Sequence, residues 1–186
     1  MRLEHPSLKW LTHPLRTHNF LNVRTYVRVG ERIGIYFLAE WLNNRLATML
    51  GPALYGLPYR FGDLRYDHDP EKTQLSGQVR DRNGLLRYRA DFPADEQYES
   101  SQNNMLTEFL LERYTAFTKI GPLRRLFQVA HDPWKQIPID VQIESDALIH
   151  QTGPWFRSAH FYSANFSPGL SEVQMGWPQK ILKKKK

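Results

Sequence analysis

The chain has 186 residues, no cysteine, 41% hydrophobic residues and a formal net charge of +6. That length suits one domain with a core large enough to need no staple. The missing thiols exclude disulfides, zinc thiolates, iron–sulfur clusters and cysteine nucleophiles, and fit a reducing cytoplasmic setting. Lys180, Lys183, Lys184, Lys185 and Lys186 supply five of the net positive charges and leave the rest of the chain at +1, so no specific nucleic-acid partner is expected.

The N-terminal stretch Met1 to Leu15 is broken by Glu4 and Pro6 and has no signal-type apolar core. From Leu21 the pattern has period two: Leu21, Val23, Val27 and Val29 alternate with Asn22, Arg24, Tyr26 and Arg28, which predicts a strand. Gly30-Glu31 reads as a tight turn. Ile33 to Ala39 follows, apolar on both faces like a buried partner strand, so the two form a hairpin. The longest apolar run, Ile33 to Leu42, contains Gly34 and Glu40. It falls well short of the roughly 20 residues that cross a bilayer, so no membrane partner is expected.

Trp41 to Leu50 carries Leu42, Leu46, Met49 and Leu50 at helical spacing, with Gly51-Pro52 as its stop. Tyr59 to Tyr66 reads as a strand and Asp67 to Lys72 as a turn. Leu75 to Arg80 and Leu85 to Phe92 form a second hairpin around Asn83-Gly84. Asn103 to Leu111 is a short helix with Leu106, Phe109 and Leu110 on one face. Strands are predicted at Arg113 to Lys119, Leu123 to His131 and Ile137 to Glu144. A last antiparallel pair, His160 to Phe166 and Glu172 to Trp177, turns at Pro168-Gly169. The fold class is mainly β (α+β): a barrel of about ten antiparallel strands with two or three short helices. One domain covers 1–182, and 183–186 is a solvated, disordered lysine tail.

Six segments in this order resemble the YqjF-like family of bacterial proteins: LNVRTYV at 21–27, GIYFLAEWLNNRLA at 34–47, GLPY at 56–59, LTEFLLERYTAFT at 106–118, HDPW at 131–134 and AHFYSANF at 159–166. The resemblance implies the acetoacetate decarboxylase-like fold, a β-barrel or cone wrapped by extra strands. Members of that family usually carry further strands before the VRTYV strand. Here about 20 residues precede it, as in a shortened variant or a truncated start; a barrel missing an early hairpin would leave an exposed strand edge, which pairing with a second copy of the chain would cover. The parent decarboxylase uses a lysine Schiff base. The matching stretch, Glu112 to Lys119, puts Thr118 at the nucleophile's place and Lys119 beside it, without the lysine pair or the proline. The parent chemistry is therefore not expected.

The remaining candidates come from side-chain chemistry. Arg24 and Tyr26 share a strand face; on a barrel lumen they would bind an anion and donate a hydrogen bond. Glu112 and Arg113 read either as a pair gripping a polar ligand or as a structural ion pair. Tyr114 follows them. His131, at a strand end, and His160, with Tyr162 two positions on, are candidate acid–base groups. With Glu112 they make the catalytic set, while Arg24, Tyr26, Arg113, Tyr114 and Tyr162 make the ligand-binding set. No histidine or carboxylate spacing suggests a metal site. Gly-rich phosphate loops and a Gly-x-Ser-x-Gly elbow are absent, so no nucleotide cofactor is expected. The sequence thus points to a barrel that binds a small acidic or polar organic molecule. The alternatives are a lyase-like or hydrolytic enzyme using histidine or glutamate, and a packed structural or interaction protein.

Overall fold

The structure is a computed structural model that describes residues 19–181 except 70, 94–96 and 171. The stretch Met1 to Leu15 and the tail 183–186 lie outside the described residues. The first hairpin forms as its alternation predicts, from β1 (Phe20–Val29) and β2 (Arg32–Leu42). Its register holds one irregularity: Val23 faces Ala39, but Arg24 faces Phe37. Leu38 is the extra residue of a β-bulge, which reverses the alternation of β2. Leu21, Val23, Ala39 and Trp41 therefore pack into one core cluster, while Tyr26, Ile35 and Phe37 pack into another on the opposite face. This is why β2 is apolar on both faces.

After β2, Asn44 caps helix α1 (Arg45–Tyr55), its Oδ1 accepting from the Ala47 N–H at 3.0 Å. Gly51-Pro52 does not stop this helix. Pro52 costs it one backbone hydrogen bond, and the helix ends at Gly56, whose N–H donates to the Pro52 carbonyl. The stretch from Tyr59 is two strands, β3 (Tyr59–Phe61) and β4 (Asp63–Asp67), which pair with different sheets. Gly62 lies at the crossing and its N–H donates to the Leu42 carbonyl.

The second hairpin is β5 (Gln74–Asp81) with β6 (Gly84–Asp91). Its loop is Arg82-Asn83, with no positive φ, rather than a turn centred on Asn83-Gly84. The Asp81 carboxylate shapes it by accepting from the N–H groups of Asn83 and Gly84. Next come β7 (Glu99–Ser100), a 3₁₀ turn (Ser101–Asn103), α2 (Met105–Leu111), β8 (Thr115–Ile120), β9 (Leu123–Ala130) and β10 (Lys135–Ser145). The chain continues with α3 (Ala147–His150), a 3₁₀ turn (Pro154–Ser158), β11 (Ala164–Phe166), β12 (Gln174–Met175) and β13 (Gln179–Lys180). The expected last hairpin does not form. β11 pairs with β10 and β12 with β9, because Phe166 is held on the second sheet by ring contacts with His68, Phe92 and Tyr98.

The strands make a half-barrel of two sheets, β1-β2-β8-β9-β12 and β11-β10-β6-β5-β4, with β3, β7 and β13 attached. Most pairings are antiparallel, but β2 pairs parallel with β3 and β8. Among the described residues β1 ends the first sheet. Between the sheets, buried Ala39 and Trp41 meet Leu64, Val79 and Leu148. The Trp41 Nε1–H donates to Asp81 at 2.9 Å, tying β2 to the hairpin of the other sheet.

The β2–β8 contact depends on Gly34. A Cβ there would lie 2.3 Å from the Thr115 carbonyl oxygen and 2.8 Å from the Phe117 ring. Backbone cannot yield as a side chain can, so Gly34→Ala is expected to destabilise the fold by about 1–3 kcal/mol or more. A urea-unfolding midpoint unchanged by this substitution would contradict the packing.

Candidate functional site

The bulge assembles a polar group on the outer face of the first sheet. Asn22 faces Glu40 and Arg24 faces Phe37, so Asn22, Arg24, Tyr26 and Glu40 point to the side that carries the second cluster. β8 adds Thr118, two residues beyond Ala116 on the same face. It is buried, and its hydroxyl donates to the Tyr55 carbonyl at 2.6 Å. α2 closes this face. Arg24 Nη2 and Tyr26 Oη both donate to the Leu110 carbonyl, each at 2.8 Å. Tyr26 also meets the Phe109 ring at 4.7 Å between centroids.

Glu40 is the unusual member. It is 6% exposed, and its Oε2 is buried without a hydrogen-bond partner. Burial pushes its carboxyl up to about 8, against the opposing pull of the Arg24 charge. At neutral pH this acid therefore keeps its proton. Tyr59, beside it on β3, is also pushed well up, first by burial and then by Glu40 and Tyr55. Sequence reasoning passed over Glu40 as an interruption of an apolar run. A lone carboxylate inside such a run was the available signal, because an unpaired acid is rarely buried without a reason.

Glu112 lies in a different environment. Its buried carboxylate accepts from Ser101 Oγ, Tyr114 Oη and, at 3.0 Å, the Trp134 N–H. Burial alone would raise it, but these bonds and the nearby His131 outweigh burial and hold it below the ordinary value. The same hydrogen bond pushes the Tyr114 hydroxyl up to about 12. His131 packs on the Tyr114 and Trp134 rings at 4.9 and 5.5 Å. These groups join the 3₁₀ turn before α2, the C-terminal end of α2 where Glu112 is the cap, the start of β8 and the β9–β10 loop.

Glu112 and Arg113 do not pair with each other. Arg113 lies over the Phe109 ring at 4.5 Å and donates to the Glu112 backbone carbonyl, while its buried Nε has no acceptor. His160 is exposed and Tyr162 is 84% exposed, on the segment before β11. No described contact joins His160 to His131. Lys119 is exposed, on the face opposite Thr118. Among the described residues, no three histidines or carboxylates are grouped as metal ligands, and no helix is long and apolar enough to cross a membrane. A cavity of about 300 Å³ and a polar depression of about 340 Å³ both lie on the second sheet. Neither is lined by Arg24 or Arg113; the Arg24 and Tyr26 side chains are half-buried, with their polar ends on the Leu110 carbonyl of α2.

Comparison with known proteins matches residues 4–170 to the DUF2071 family, described as an uncharacterised conserved protein. The uncharacterised protein YqjF of Bacillus subtilis (strain 168) is 24% identical over 144 residues, covering 70% of this chain and 59% of YqjF. The chain thus spans about three fifths of that relative's length. The acetoacetate decarboxylase of Legionella pneumophila aligns with TM-score 0.58 at 10% identity, over 89% of this chain and 67% of that one. The enduracididine biosynthesis enzyme MppR, complexed with pyruvate, aligns with TM-score 0.54 at 14% identity, over 93% and 66%. At these identities the likeness establishes the acetoacetate decarboxylase-like fold.

The Glu40 carboxyl gives a pH test. Its ordinary value is 4.5 and its folded value about 8. Between those limits the folded state holds a proton that the unfolded state has lost, so the Glu40 contribution to stability is full below about 4.5 and falls as pH rises to about 8. Glu40→Gln mimics the protonated acid. Urea midpoints taken from pH 5 to 9 should fall less steeply in this variant, and it should exceed the unmodified protein in stability at the alkaline end. Parallel profiles would contradict a buried neutral acid.

Proposed function

We propose that this chain, which belongs to the DUF2071 family, binds a small oxo acid without turning it over, between the β1–β2 hairpin and α2. One observation carries the reading. Two donors, Arg24 and Tyr26, converge on a single carbonyl beside a buried acid with an unpartnered oxygen. The Leu110 carbonyl, at the C-terminal end of α2, carries partial negative charge and stands where a carboxylate would be recognised. A ligand carboxylate would replace it, take a two-point grip from the Arg24 guanidinium and accept from Tyr26. Neutral Glu40 would then donate its proton in a hydrogen bond to the oxo group, which satisfies its carboxyl.

The fold neighbours support this ligand class, since acetoacetate and pyruvate are both short oxo acids. The covalent step of a lysine enzyme is left out of the reading. Thr118 occupies the matching place with its hydroxyl bonded to the Tyr55 carbonyl, and Lys119 faces away. Glu112, Tyr114 and His131 have the role of fixing the base of α2, the element that must shift to admit a ligand.

Titration calorimetry with pyruvate and acetoacetate, with pyruvamide as the uncharged control, tests the reading. Binding of the acids but not of the amide is expected, with an affinity loss of at least about tenfold in Arg24→Gln. No binding by the unmodified protein, or equal binding by the variant, would overturn it.

A further inference from the structure

The second sheet holds a cavity that the oxo-acid reading does not use. Its floor is the inward face of β5, β6 and β10, where Leu75, Ala90, Val141 and Ile139 stand side by side, and Ala164 and Phe166 of β11 form a wall. Leu86 lines the cavity and also packs on the core cluster, so this space extends the core. The volume is about 300 Å³, the lower end of the range for ligand pockets.

Three polar residues, His68, Tyr88 and Asn165, line this mostly apolar surface, and two of them are fixed on each other. His68 Nε2 and Tyr88 Oη are hydrogen-bonded at 2.8 Å. His68 is stacked against Tyr66 at 5.1 Å and meets Phe166 edge-on at 6.3 Å. Tyr88 lies across Gly77, where a Cβ would come within 2.3 Å of the ring. The missing side chain at Gly77 is therefore what lets Tyr88 hold this position. Burial lowers His68, against the pull of Asp67, and raises Tyr88 to about 12, so both favour uncharged forms. No charged residue lines the cavity. A hydroxyl offers one donor and two acceptor directions, so the bond to His68 leaves Tyr88 with capacity for a ligand.

We infer that this cavity is a second binding site, for a small uncharged organic molecule that is mostly apolar and carries one hydroxyl or carbonyl group. An ionised ligand would lose part of its hydration against this apolar wall with no opposite charge to meet it. The volume equals that of about ten waters and limits the ligand to about the size of a substituted single ring. The oxo-acid site lies on the other sheet beneath α2, so the two readings stand or fall separately.

The test uses the full chain with labelled methyl groups, titrated with p-cresol and, as a charged ring of similar size, benzoate. Saturable shifts are expected for the methyls of Leu75, Ala90, Ile139 and Val141 with p-cresol but not with benzoate. Ala164→Leu, which fills the cavity, should weaken p-cresol by at least about tenfold. Tyr88→Phe, which keeps the ring, should weaken it about fivefold, the worth of one neutral hydrogen bond. Unperturbed methyls, equal response to benzoate, or full affinity in both variants would overturn the inference. Retained pyruvate binding in those variants would separate this outcome from any failure of the first site.

Discussion

One extra residue in β2 sets the arrangement of the whole half-barrel. Without the bulge at Leu38, Trp41, Ala39, Phe37 and Ile35 would all project to one side of the first sheet. With it, Trp41 and Ala39 enter the space between the sheets, while Phe37 and Ile35 turn outward toward the helices. The same reversal puts Glu40 on the outward face with Arg24. Both hydrophobic clusters and the polar site are thus consequences of a single register shift, because side-chain period two carries any slip along the strand.

The carboxylates show how environment sets chemistry. Asp81 and Glu112 are each surrounded by several donors and are held below the ordinary range despite burial. Asp81 closes the β5–β6 turn and anchors Trp41, and Glu112, the C-terminal cap of α2, ties that helix to the Ser101 turn and to the β9–β10 loop. Glu40 lacks such donors around Oε2 and is driven toward its neutral form. A fold gains nothing in stability from an unsatisfied buried acid. That cost is the ground for the role proposed for Glu40, whereas the carboxylates of Asp81 and Glu112 have their donors within the fold.

Much of the fold was legible in the sequence because the alternating strands are local signals. The Leu21–Val29 pattern gave β1 directly, and the ordered segments pointed to the family. What could not be read were decisions made by distant partners. Gly51-Pro52 looks like a stop, yet the helix survives it and ends at Gly56. Phe166 looks like part of a terminal hairpin, yet an aromatic group on the second sheet holds it. At the site, Arg24 and Tyr26 were legible as a shared face. Their common acceptor, Leu110, lies 84 or more residues away and belongs to no strand pattern. Glu40 was hidden because a bulge, which leaves no mark in residue spacing, decides which way it points.

The bulge in β2 places a neutral carboxyl on the same face as Arg24, which α2 covers. Carbon-13 NMR of the glutamate side-chain carboxyls, recorded against pH and assigned through Glu40→Gln, measures it directly. The expected result is a Glu40 resonance titrating near 8 while Glu112 titrates below the ordinary glutamate value. A Glu40 resonance titrating near the ordinary 4.5 would mean a solvated, ionised side chain and no buried neutral acid beside Arg24.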